Sequence, residues 1–214
     1  MLWEQVGYLA DDAERLAAYQ LLEKRVGTTP DEVLSAPPAV LRAVTRRGGA
    51  IAVNERADRL YAIADRVATV WNGDLDRVLE LPFAAARHEL TKYPSIGEAG
   101  AERILLLCGA HPVLGLDSNA LRVLVRLGYG SESPQWAKTY RSAQTAAESE
   151  VASTIPARQR AFLLLRQHGQ TICRRTAPRC HECPLHPDCP AGAGYLSRAT
   201  ATRASAIRTS RDGP

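Results

Sequence analysis

Four of the five cysteines lie within one short stretch near the C-terminal end of the chain. The gaps between them are six, two and five residues, and the four are Cys173, Cys180, Cys183 and Cys189. Thiolates bind zinc and iron, and clustered thiols in a chain otherwise poor in cysteine are typical of a metal centre rather than of a disulfide framework. The spacing alone leaves two kinds of site open: an iron–sulfur cluster, and a zinc site for which His181 and His186 are spare ligands.

A tight turn in the middle of the chain could bind phosphate. In the segment LTKYPSIGEAGAERILLLCG, the turn Pro94-Ser95-Ile96-Gly97 separates two helical patterns. A helix, a glycine-bearing hairpin and a second helix direct backbone N–H groups and a helix N-terminus outward, and such groups bind phosphate without reading base sequence. The same spacing is typical of an ordinary corner between two helices with a glycine cap, so the pattern alone leaves both interpretations open.

Asp117 is a candidate for chemistry because of its place before a helix. It stands at the start of a helical pattern in the segment GLDSNALRVLVRLGYG, where aspartate is a preferred N-cap. Arg122 and Arg126, four residues apart, share another face of that helix. A carboxylate at the mouth of a cleft beside a DNA-binding hairpin can also stabilise a cationic sugar. The pattern alone favours the cap, and catalysis needs the wider context.

The elements that must position these residues are all helices. Thr29, Pro30 and Glu32 form a capped helix start in which the threonine is the N-cap and the glutamate completes a capping box. Apolar residues recur at helical spacing over residues 54–71, and an Asn-Gly pair at 72–73 closes that helix. The helix after the hairpin is expected to bury Ala101, Ile104, Leu105 and Cys108. Runs of alternating β-branched residues are missing, so the sequence predicts an all-α fold.

Composition and charge limit the class of protein. With 214 residues, 45% of them hydrophobic and 23% charged, the chain can bury a core without disulfides. Its start lacks the basic and apolar segments of a signal peptide, and no apolar run reaches the roughly 20 residues of a membrane span. These features predict an intracellular protein. The net charge is +4, and arginines crowd the region from Arg158 to Arg211, which favours contact with phosphates.

The hairpin, Asp117 and the Cys-x6-Cys-x2-Cys-x5-Cys loop, in that order, resemble the helix–hairpin–helix DNA glycosylases (the HhH-GPD superfamily) of the endonuclease III type. The resemblance runs from about residue 1 to residue 190. It implies two helical lobes with a DNA-binding cleft between them. The expected domains are a helical-barrel lobe over 1–130, with the hairpin at about 93–99, a cluster lobe over 131–190, and a flexible basic tail over 191–214.

The resemblance also assigns roles to particular residues. It implies that the four cysteines hold a [4Fe–4S] cluster rather than zinc, and that Asp117 is the catalytic carboxylate. Residues expected to contact DNA are Ser95, Ile96 and Gly97 of the hairpin together with Arg122, Arg174, Arg175 and Arg179. Cys108 is expected to be a small buried apolar residue and not a ligand.

Departures from the family pattern bear on the mechanism. Members that also cut the DNA backbone carry a lysine two residues past the second hairpin glycine, and that position here is Ala99, which cannot form a Schiff base. Ser95 replaces the first hairpin glycine, and Glu4 is the nearest match to a glutamate that mismatch-specific branches use. The adenine-mismatch branch carries an extra C-terminal domain, whereas 25 residues (214 − 189) follow Cys189 here. Lys92 is the remaining candidate nucleophile near the hairpin.

We therefore expect a DNA glycosylase of base excision repair that removes a damaged or mismatched base without lyase activity. Its partner would be double-stranded DNA containing such a base, with deaminated or damaged pyrimidines as the favoured targets. The protein would act as a monomer in the cytoplasm, associated with the nucleoid if it is bacterial. The alternative is a non-catalytic protein that binds damaged or bent DNA, because Ala99 and Ser95 also fit a loss of activity.

Overall fold

The computed structural model describes residues 1–8 and 10–194. The predicted all-α fold is confirmed for these residues, which form α-helices and short 3-10 turns but no strand. The chain divides into two compact units, residues 1–101 and the part that begins at Glu102. Of the predicted basic tail over 191–214, residues 191–194 are helical, and the rest lies outside the described residues from Tyr195 onward. None of the described helices is both long enough and apolar enough to span a membrane.

The first unit is built around one long helix. The helices in chain order are α1 (Leu2–Val6), α2 (Asp12–Arg25), α3 (Pro30–Ser35), α4 (Pro38–Arg47), α5 (Val53–Trp71) and α6 (Phe83–Thr91), with a 3-10 turn at Leu75–Val78. Helix α5 packs against α1, α3 and α4. Its buried Leu60 and Ala64 join Leu22, Val33 and Val44 in the core of this unit. Burial of such side chains is the main favourable contribution to the stability of the unit.

The helix ends follow the local chemistry of the sequence. Thr29 and Glu32 form the predicted capping box, and Pro30 is the first residue of α3. Asn72 closes α5 in a left-handed conformation (φ +52°), as the Asn-Gly pair predicts.

Arg56 is buried on α5 and donates to the carbonyl oxygens of Val6 (2.9 Å) and Ile51 (3.0 Å). It thereby satisfies carbonyl groups at the end of α1 and in the loop before α5.

The second unit is also helical. Helix α7 (Glu98–Leu107) begins in the first unit and continues into the second, which also contains α8 (Ser118–Arg126), α9 (Trp136–Glu150) and α10 (Ile155–Thr171). Two 3-10 turns, Cys180–Glu182 and His186–Asp188, follow α10. Helix α8 packs against both α9 and α10, and its buried residues are Ala120, Leu121, Val123 and Leu124.

The prediction that Cys108 is buried is wrong, because the residue is exposed. Ala101 and Leu105 are buried as expected. Helix α7 ends at Leu107, and Gly109 (φ +74°) then turns the chain. Cys108 still donates its N–H to the carbonyl oxygen of Ile104 (2.9 Å) and lies at the exposed C-terminal end of α7, next to this turn.

Candidate functional site

The hairpin lies between α6 and α7 and is anchored by buried side chains and by a hydrogen bond to α1. Tyr93 and Ile96 are buried, whereas Ser95 and Gly97 are exposed. Gln5 donates from Nε2 to the carbonyl oxygen of Pro94 (3.0 Å), which ties the turn to α1 of the same unit. The two anchored side chains thus leave the backbone of Ser95 and Gly97 at the surface, as a phosphate-binding hairpin requires.

Ser95 takes the backbone conformation that glycine accommodates best. Its φ of +62° lies in the left-handed region, where an L-residue with a Cβ is strained by roughly 1–2 kcal/mol. Gly97 does not have a positive φ, and a side-chain carbon there would meet open space. The replacement of the first glycine by serine therefore retains the turn geometry at some conformational cost.

Of the two candidate nucleophile positions in the first unit, one has no amine and the other has an amine in an exposed ion pair. Ala99 is buried in the first turn of α7. The ammonium group of Lys92 pairs with Glu89, three residues earlier on α6. Glu4, the candidate second carboxylate, lies 3.8 Å from Arg15. Ala99 is therefore part of the core of the first unit, while Lys92 and Glu4 each lie beside a side chain of opposite charge.

Asp117 is the N-cap of α8, as its position predicts. Its Oδ1 accepts hydrogen bonds from the backbone N–H groups of Asn119 (2.9 Å) and Ala120 (2.8 Å). Its Oδ2 lies 3.2 Å from Nε of Arg166, on α10. The side chain of Asp117 is 18% exposed, so the carboxylate is fixed within the protein while one edge still reaches the surface.

The segment that leads into Asp117 is pinned by side chains. Residues 111–117 have no regular secondary structure, yet Leu114 and Leu116 are fully buried. Leu116 donates its N–H to the Tyr140 hydroxyl (3.2 Å), and Leu114 donates to Glu148 (2.7 Å). Irregular backbone in a core needs such partners for its polar groups, and these bonds fix the chain immediately before Asp117.

Glu102 is at the centre of this buried network. Its carboxylate accepts hydrogen bonds from Tyr140 (2.7 Å), Gln144 (2.8 Å) and Arg141 (2.6 Å). Burial pushes the pKa of Glu102 upward, but the three hydrogen bonds and the charge of Arg141 outweigh it, and the pKa lies below its ordinary value. Burial and the charge of Glu102 raise the pKa of Tyr140. The network is thus a carboxylate with several donors, and it braces the segment before Asp117.

The four clustered cysteines line a single cavity at the end of α10. The rest of its wall is largely apolar and includes Ile172 and Leu185. Burial raises the pKa of the Cys180 thiol, and the three neighbouring cysteines raise it further, since like charges disfavour ionisation. In the part of the chain that the structure describes, no group of three or more cysteine, histidine or acidic side chains converges as a site for one metal ion.

The four cysteine side chains that line this cavity supply sulfur donors, which both zinc and iron–sulfur clusters accept. Two nitrogen atoms approach the sulfurs: NH1 of Arg126 lies 3.4 Å from Sγ of Cys173, and Nε2 of His168 lies 3.6 Å from Sγ of Cys183. Such contacts are favourable for thiolates that carry negative charge.

The arginines of this region divide into two groups. Arg174, Arg175 and Arg179 are exposed on the cysteine loop, and Arg179 lies 3.6 Å from Glu182. Arg126 instead turns inward and donates to the carbonyl oxygen of Arg174 (2.8 Å).

Arg122 also has a structural role that the sequence does not reveal. It donates to the carbonyl oxygens of Cys173 (2.9 Å) and Gly169 (2.8 Å) and to Oδ1 of Asn119 (2.8 Å). Asn119 in turn approaches Asp117 (Nδ2 to Oδ2, 3.4 Å). The second unit therefore brings the candidate carboxylate and the cysteine loop together through the first turns of α8, whereas the hairpin residues belong to the first unit.

The chain is similar in sequence and in fold to known DNA-repair proteins. No family model matches the chain. It is 27% identical over 179 residues to endonuclease III of Sulfolobus acidocaldarius, covering 83% of this chain and 74% of that protein. The fold is similar to that of endonuclease III in a non-covalent complex with DNA, with a TM-score of 0.73 and 19% identity, covering 92% of this chain and 84% of that one. A thermostable thymine-DNA glycosylase gives a TM-score of 0.71 and 18% identity, covering 90% and 82% of the two chains.

The fold is similar to that of endonuclease III, and the sequence is similar to it over most of the chain. The resemblance predicted from the hairpin, Asp117 and the cysteine spacing is confirmed: the chain is endonuclease III-like in both sequence and fold.

Proposed function

We propose that this protein is a monofunctional DNA glycosylase of base excision repair. It hydrolyses the bond between a damaged or mismatched base and its sugar, and it leaves the DNA backbone intact. The observation that carries the proposal is the combination of a partly exposed, fixed carboxylate at Asp117 with a buried methyl group at Ala99. The names of the similar proteins, endonuclease III and thymine-DNA glycosylase, support the reaction class.

Asp117 would act by electrostatics. A glycosylase extrudes the target nucleotide from the duplex, and the sugar becomes cationic as the base departs. A carboxylate whose Oδ1 is already fixed by two backbone N–H groups does not need to reorganise when that charge develops. Water then adds to the sugar carbon, and Asp117 can orient it.

The side chains at the candidate nucleophile positions argue against lyase activity. A lyase needs an amine that attacks the sugar carbon and forms a Schiff base. Ala99 has none, and the Lys92 amine is held by Glu89. Arg166, next to Asp117, carries a guanidinium that stays protonated and does not act as a nucleophile. The reaction therefore ends with an intact strand that carries an abasic site.

DNA contacts would come from the exposed backbone of the hairpin and from the cysteine loop. Ser95 and Gly97 present main-chain groups, and Arg174, Arg175 and Arg179 present charges that suit phosphate. Ile96 is buried, so its contribution is to anchor the turn and to offer its backbone. Arg122 donates to the cysteine loop, and any contact it makes with DNA would come in addition to this role.

A [4Fe–4S] cluster would be held by Cys173, Cys180, Cys183 and Cys189. The four thiols around one cavity and the Arg126 guanidinium beside Cys173 support this assignment. When bound, the cluster would cross-link the loop that carries the exposed arginines and couple its folding to iron–sulfur ligation.

One panel of duplexes tests the proposed function. Each duplex carries a single lesion or mismatch, including deaminated and oxidised pyrimidines, and is incubated with the protein and then split into samples with and without hot alkali. We expect strand breaks only after alkali, and no covalent adduct when borohydride is added. Breaks without alkali, or an adduct that vanishes in Lys92→Ala, would show a lyase.

The same panel distinguishes base removal from the alternative function, which is binding of lesions without catalysis. Ala99 and the strained Ser95 are also compatible with a protein that binds lesions without removing the base. Gel retardation of a lesion duplex without any break after alkali would establish that alternative and reject catalysis.

A further inference from the structure

Arg166 contacts the oxygen of Asp117 that the helix cap does not use. Oδ1 accepts both backbone N–H groups of the cap, while Oδ2 lies 3.2 Å from Nε of Arg166 and, more distantly, 3.4 Å from Nδ2 of Asn119. The two side chains are only partly exposed, 26% for Arg166 and 18% for Asp117. The ion pair is therefore shielded from solvent on most sides, and such a pair is geometrically better defined than one on an open surface.

The backbone around Arg166 is also fixed. Three residues later, Gly169 is buried against α8, and a side-chain carbon there would lie 2.6 Å from the carbonyl oxygen of Asn119. The carbonyl oxygen of Gly169 accepts a hydrogen bond from Arg122 (2.8 Å). Helix α10 thus passes so close to the start of α8 that a Cβ at position 169 would clash with the backbone of Asn119. Arg166 projects from the preceding turn of α10 toward Asp117.

We infer that Arg166 is a positioning residue for the reaction at Asp117. The inference rests on the proposed function, and it assigns to Arg166 the task of fixing Oδ2, while the cap fixes Oδ1. A carboxylate stabilises a developing cation best when both of its oxygens are held before the reaction. Arginine suits this task because it holds a carboxylate oxygen by charge and hydrogen bonding without offering a nucleophile to the sugar.

The test compares four proteins on the lesion duplex that the wild type processes fastest. They are the wild type, Arg166→Met, Arg166→Lys and Arg160→Met, the last being a control at an exposed arginine on the same helix. Single-turnover rates and dissociation constants are measured separately. We expect Arg166→Met to lower the rate by about tenfold to a hundredfold, which is typical of a misplaced catalytic group, and to leave the dissociation constant within about threefold. Arg166→Lys should recover most of the rate, and Arg160→Met should match the wild type.

A double variant separates positioning from a general loss of structure. If Arg166 acts through Asp117, adding Arg166→Met to Asp117→Asn should slow the reaction no further than Asp117→Asn alone. Multiplied losses in the double variant would overturn the inference. So would a wild-type rate in Arg166→Met, or a faster one, since a faster rate would mean that the guanidinium opposes the sugar cation. A wild type that removes no base rejects the proposed function and the inference together, whereas an active wild type with an unaffected Arg166→Met rejects the inference alone.

Discussion

Asp117 is a helix cap, and the proposed function makes the same residue the catalytic carboxylate. The cap could be predicted from the sequence because it depends only on the residues that follow, and the two hydrogen bonds to Oδ1 confirm it. The ion pair with Arg166 could not be predicted. The partners are 49 residues apart (166 − 117), and their contact depends on how α8 and α10 pack.

Glu102 provides a prediction about stability at the residue scale. Its pKa is lower in the folded protein than its ordinary value of 4.5. A lowered carboxyl pKa stabilises the fold fully above that ordinary value, and the contribution is lost as the pH falls through the lower, folded-state pKa. Glu102→Gln should therefore reduce the free energy of unfolding by about 2–3 kcal/mol at pH 7, because the donors around it lose a buried charged acceptor.

The pH dependence of that difference is the measurement. Urea unfolding is followed at pH 7 and at successively lower pH, down to the lowest pH at which the wild type still folds. The difference between wild type and Glu102→Gln should shrink as the pH falls. Glu132→Gln, at an exposed glutamate of the same unit, should behave like the wild type throughout. A difference that is constant with pH would show that Glu102 does not stabilise the fold through its charge.

At the scale of elements, helix ends were the most predictable features and loop contacts the least. The capping box at Thr29 and the Asn-Gly closure of α5 depend on neighbouring residues, and both are confirmed. The burial of Cys108 was predicted by extending the period of α7 one residue too far. The structural role of Arg122 gave no sequence signal, because the loop carbonyl it holds lies 51 residues away (173 − 122).

The cysteine loop should contain iron and sulfide. We predict a brown protein with broad visible absorption and about four iron and four sulfide per chain, as four thiolates around one cavity would hold them. Cys183→Ser should lose the colour and lower the stability of the second unit, since cluster ligation couples to folding. Cys108→Ser is the matched control, because Cys108 is exposed and outside the loop, and it should keep the colour. A colourless protein purified without oxygen that contains one zinc per chain would contradict the assignment.

The exposed arginines of the same loop should determine the salt dependence of DNA binding. Each phosphate that is neutralised contributes about −0.9 to the slope of log K against log salt concentration. Replacing Arg174 and Arg175 by alanine should make the slope less steep by between about one and two units and weaken lesion and plain DNA alike. Arg46 and Arg47, two exposed arginines at the end of α4, form a comparison pair outside the loop. An unchanged slope in the Arg174/Arg175 variant would show that the loop does not face DNA.

At the scale of the whole molecule, the fold class followed from what the sequence contains and lacks. Helical periods, caps and the missing alternation of β-branched residues predict helices, and the described residues form them. The hairpin, Asp117 and cysteine spacing then selected one helical architecture, which the likeness to endonuclease III bears out. The packing that pairs Asp117 with Arg166 and braces the segment before it with Glu102 depends on contacts between distant helices, which local patterns do not encode.

The most direct test of the central claim is the rate of base removal by Asp117→Asn. Asparagine caps helices about as well as aspartate does, so α8 should be retained while the negative charge beside the sugar is lost. The substrate is the lesion duplex that the wild type processes, and alkali reveals the breaks. We predict that the single-turnover rate falls by about a hundredfold or more. The affinity for that duplex should stay close to that of the wild type. A variant that removes the base at the wild-type rate would contradict the account and leave Asp117 as a helix cap alone.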